Sequence, residues 1–130
     1  ADNPWFTIPE KAARDWLTAP PEPPTKGPGP LAFADADHVL ALIAQAGLVE
    51  GRVETLQIDL TPPGGSSGAA GLATHVGPAA RLLRICNATP QDREAIAARI
   101  EDDFTGFGHG ADMRIPSSVH LFSCRAGRQE

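Results

Sequence analysis

An α/β chain, α+β when taken as an isolated fragment, is what the sequence predicts, and three observations predict it. Apolar residues recur at helical spacing behind recognisable caps at Asp35 and at Thr89-Pro90-Gln91-Asp92. Two segments, Val53 to Leu60 and Ile115 to Arg125, carry strand-like runs instead. Neither glycine-rich fingerprint of a phosphate-binding turn, G-x-G-x-x-G or G-x-x-x-x-G-K-[ST], occurs anywhere. The expectation is one partial domain over residues 1–130, with helices and too few strands for a stable sheet of its own.

The elements follow in order. Trp5, Phe6 and Trp16 accompany a short helix expected to start near Pro9, since proline costs little in a first turn. Residues 18–30 hold six prolines, too many for helix or ladder, and should form an extended connector. Asp35 then caps a helix marked by Val39, Leu40 and Ile43 and closed by Ala46-Gly47. Leu56, Ile58 and Leu60 alternate with Gln57 and Asp59 until Pro62-Pro63 stops the strand. A loose run, Pro62 to Gly68, leads to a helix carrying Leu72, Val76, Leu82 and Leu83, with a break expected at Gly77-Pro78. The Thr89 cap opens another helix, to about Phe104, and Gly106, Gly108 and Gly110 turn the chain into its last strand. That strand places Val119 and Leu121 on one face and Phe122 and Cys124 on the other, the pattern of an interior strand needing two neighbours. Only Val53 to Leu60 is at hand. The second neighbour must be a missing segment, a second copy, or an unrecognised strand.

Composition removes several classes of function. Sixteen acidic residues against eleven basic ones give a net charge of −5, which opposes phosphate-backbone binding and so a nucleic-acid partner. No apolar run approaches the ~20 residues of a membrane-spanning helix. Cys86 and Cys124 sit among apolar residues and are expected to be two buried thiols in a reducing, cytoplasmic setting, a single structural disulfide being the alternative.

Three runs, Asn3-Pro4-Trp5-Phe6, Gly27 through Asp35 (GPGPLAFAD), and Ala46-Gly47-Leu48, occur in a familiar order. They continue through Gly77-Pro78-Ala79-Ala80-Arg81-Leu82-Leu83 and Arg114 through Phe122 (RIPSSVHLF). Over about Asn3 to Ala126 the chain resembles the C-terminal part of class I, Rossmann-like S-adenosylmethionine-dependent methyltransferases. The resemblance implies a seven-stranded sheet to which this chain gives the last two strands, the final one antiparallel and inserted between neighbours. It also implies that the segment near Ala1 to Trp16 and the helices over about Ala69 to Phe104 form a wall or lid on the substrate side. The family's glycine loop and ribose-binding acidic residue lie upstream of anything present here. S-adenosylmethionine is therefore expected as cofactor of the parent protein, with no cofactor-binding residue on this chain alone.

Gly64-Gly65-Ser66-Ser67-Gly68-Ala69-Ala70-Gly71 sits where a phosphate loop would, but its spacing fits no such motif, and a flexible surface loop is expected. His38, His75, His109 and His120, with Cys86 and Cys124, lack the close spacing of a zinc site, so no metal is expected. Ser66, Ser67, Ser117 and Ser118 have no nucleophile elbow or base at defined spacing, so no catalytic residue is assigned. Four residues remain as substrate-binding candidates: Trp5, Phe6 and Phe33 as apolar walls, and His75, just before the break at Pro78, as a polar contact. Core packing for the aromatics and a locally hydrogen-bonded histidine are the competing readings. The expected function is the substrate-side portion of a methyltransferase acting on a small molecule, incomplete alone and requiring its N-terminal half. The rival is a noncatalytic assembly module in which exposed strand edges pair with a second copy.

Overall fold

The computed structural model describes residues 3–18 and 31–128. Its element order is α1 (Pro4–Leu17), α2 (Ala36–Gln45), β1 (Leu48–Leu60), α3 (Gly65–Ala73), α4 (Pro78–Ile85), α5 (Pro90–Phe104) and β2 (Ile115–Ala126), with short 3-10 turns at Thr105–Phe107 and Gly110–Asp112. The architecture is mixed α and β with one two-stranded antiparallel sheet, consistent with α+β. The proline-rich stretch, apart from Thr18, lies outside the described residues. Among those described, no helix is long and apolar enough to cross a membrane.

The chain divides into two compact units, residues 1–22 with 58–117 and residues 23–57 with 118–130. The first is helical. α5 buries Ile96, Ile100 and Phe104, spaced four apart so that they fall on one face. Against them pack Leu83, Met113 and Ile115, with Ala12, Ala13, Ala69, Ala73 and Ala79 from α1, α3 and α4. These alanines let helix backbones approach closely, and Ala12, Ala13, Ala69 and Ala79 are fully buried.

Local chemistry sets the helix ends. Thr89 Oγ1 accepts from Asp92 N at 3.1 Å while Asp92 Oδ2 accepts from Thr89 N at 2.9 Å, a reciprocal capping box. Trp16 Nε1 donates to Asp92 Oδ1 at 3.0 Å, and Arg99 donates to Asp15 at 2.9 Å, joining α1 to α5. The break expected at Gly77-Pro78 is present: α3 ends at Ala73, Gly77 takes φ 95°, and Pro78 opens α4.

Three expectations here need correction. The first helix begins at Pro4, not near Pro9, because Asn3 O already accepts from Phe6 N and Thr7 N; Pro9 lies inside the helix and is buried. The run from Gly64 to Gly71 is not a surface loop but mostly α3. A Cβ on Gly68 would collide with the Pro63 carbonyl oxygen, so that glycine serves backbone contact rather than looseness. β1 starts at Leu48 rather than Val53, because its non-alternating first residues also pair with β2, where Arg125 lies 3.0 Å from Glu50.

The second unit contains α2 and most of the ribbon. Asp35 caps α2 by accepting from His38 N at 3.2 Å. Gln57 meets Ser118, and Glu50 meets Arg125, seven residues along each strand, so both pairs fit one antiparallel register. Period two then groups Gly51 and Gln57 with Ser118, His120 and Phe122 on one face. α2 covers that face, since a Cβ on Gly51 would meet Leu40 and Ile43 at 3.4 Å.

The opposite face carries Val119 and Leu121, 37% and 54% exposed. The burial on both sides expected for β2 is therefore not found: among the described residues the strand has one neighbour, and no further strand supplies the other. The cysteines need correction as well. Both are free and exposed, Cys86 just past the end of α4 and Cys124 on the ribbon.

Candidate functional site at the α3–α4 junction

The α3–α4 break forces a tight turn, and that turn presents His75. Its backbone N–H and that of Val76 both bond Leu72 O, at 3.0 and 2.9 Å, continuing the helical path for one more turn. Leu72, His75 and Val76 are thus neighbours on one exposed surface, at i, i+3 and i+4. Thr74 between them points inward and is 4% exposed. Arg93 of α5 donates to the Thr74 carbonyl at 2.9 Å, tying the turn to the first part of α5.

The imidazole orientation follows from its partners. Nδ1 lies 2.8 Å from Gly71 O and 3.3 Å from Thr74 Oγ1. Gly71 O only accepts, and the Thr74 hydroxyl spends its proton on that same oxygen at 2.8 Å, so both groups present lone pairs to Nδ1. Nδ1 therefore carries the proton in the neutral ring, and Nε2 is the acceptor.

The four predicted residues do not form one site. Trp5 is core: its ring stacks on Phe104 with centroids 6.0 Å apart and planes 15° from parallel. Phe6 is half-buried and packs at the turn itself, where a Cβ on Gly77 would lie 3.7 Å from its ring. Phe6 and His75 thus flank the same break. Phe33 belongs to the other unit, 58% exposed, edge-on to Phe122 at 6.3 Å, with its carbonyl 3.2 Å from His120 Nδ1.

Two contributors were not read from sequence. Thr74 gave no motif, and Arg93 is nineteen positions away, so only folding reveals that they fix the ring and turn behind His75.

A separate open recess of about 320 Å³ is lined by Thr61, Pro62, Pro63, Gly64, Gly65, Gly110 and Ala111. It offers backbone and no charged side chain. The described residues do not fit S-adenosylmethionine: neither the glycine loop nor a carboxylate for its ribose is present in this recess. Nor do three or more His, Cys, Asp or Glu side chains gather to hold a metal among the described residues.

Compared with known proteins, the chain matches no family model, no curated protein and no solved structure.

Proposed function

We propose that the chain is the C-terminal, substrate-side portion of an S-adenosylmethionine-dependent methyltransferase acting on a small molecule, and that catalysis requires the cofactor-binding half. The observation that carries this reading is the unfinished ribbon. β2 is twelve residues long and has apolar side chains on both faces, one neighbour and an exposed aliphatic face. Its edges differ: β1 carries Glu50, Arg52, Glu54 and Asp59 and a left-handed residue at Glu50, φ 55°, the devices that protect a true sheet edge. β2 has a single charge, Arg125, near its end, and its one proline, Pro116, stands at its start, leaving the rest of the strand without such devices. That asymmetry fits a sheet in which β1 is the border and β2 the interior.

The test compares this chain with the whole reading frame that encodes it. Calorimetry should detect no S-adenosylmethionine binding by the chain, whereas the complete product should bind it and transfer methyl groups. Tight binding and turnover by the chain alone would refute the incompleteness. A complete product that does not bind S-adenosylmethionine would refute the methyltransferase reading.

The same unprotected edge favours one other reading, an assembly module that pairs β2 with β2 of a second copy. Sedimentation separates the two: concentration-dependent dimers in the complete product support assembly, and a strict monomer with β2 amides protected from exchange counts against it.

A further inference from the structure

We draw no further inference here: the strongest candidate, the open recess before α3 lined by Pro62, Pro63, Gly64, Gly65 and Gly110, rests on a helix N-terminus alone, and among the described residues no buried polar side chain lacks a partner there to point to a ligand.

Discussion

The helical unit and the ribbon unit differ in what they do with their apolar residues. In the helical unit Phe104, Ile96, Ile100, Leu83 and Met113 are all sealed, and alanines close the gaps between helices. In the ribbon Val49, Val119 and Leu121 remain 47%, 37% and 54% exposed, although α2 covers one face. The helical unit seals a core of large side chains, although Trp16, Leu72, Val76 and Ile85 on its surface stay exposed. The ribbon seals no comparable core and keeps an exposed aliphatic face on a two-stranded sheet.

The largest expected effect tests that contrast directly. Phe104→Ala should destabilise the helical unit by about 3–5 kcal/mol, since it removes a fully buried ring that stacks on Trp5. Leu121→Ala should cost under about 0.5 kcal/mol in the isolated chain, because an exposed side chain leaves little cavity. Chemical denaturation of both variants measures the pair, and comparable losses would break the distinction. The proposed cofactor-binding half offers a second arm: if it covers β2, Leu121→Ala should become markedly costlier in its presence.

A smaller effect is expected at the start of α3. Gly68→Ala drives a methyl into the Pro63 carbonyl, and that partner is backbone, so the loop before α3 must shift. The cost should be roughly 1–3 kcal/mol, the range for overpacking. Gly71→Ala, where nothing lies within 4 Å of the new methyl, should stabilise the same helix slightly, by about 0.5–1 kcal/mol. Thermal melts of the two variants should move in opposite directions.

At the amino end of α5, Thr89→Ala should cost about 1 kcal/mol, as it deletes the hydroxyl half of the capping box. Thr89→Ser should recover most of that loss in the same denaturation assay.

What was legible in the sequence was the local part. The Asp35 cap, the Thr89-Asp92 box and the break at Pro78 each act within a few residues, and each is where the residue types placed it. α1 began earlier than expected because Pro4, not Pro9, takes the first turn. The glycine-rich run misled because glycine marks either freedom or close approach, and only the position of the Pro63 carbonyl distinguishes them. His75 was visible as a candidate from its place before the break, but the orientation of its ring depends on the inward turn of Thr74 and the reach of Arg93. Trp5 and Phe6, adjacent in sequence, part ways: one stacks in the core and the other packs at the turn, a difference set by helix phase.

Acid should act on the α1–α5 junction, the smallest of the expected effects. Asp92 is held below the ordinary carboxylate value of 3.8 by the Thr89 backbone N–H, with Trp16 and the Thr89 hydroxyl adding to it. Asp15 is lowered by its hydrogen bonds to Lys11 and then Arg99. In both cases the unfolded chain takes up protons before the folded one does. Their contribution is therefore fully present above the ordinary value and is lost as pH falls through the lowered one. Both carboxylates face solvent, so the loss should be modest and should shrink with added salt. Comparing Asp92→Asn with the parent chain isolates it: the stability difference seen at neutral pH should narrow steadily below about pH 4, and a difference that stays constant down to the acid limit would show that this carboxylate does not clamp α1 to α5.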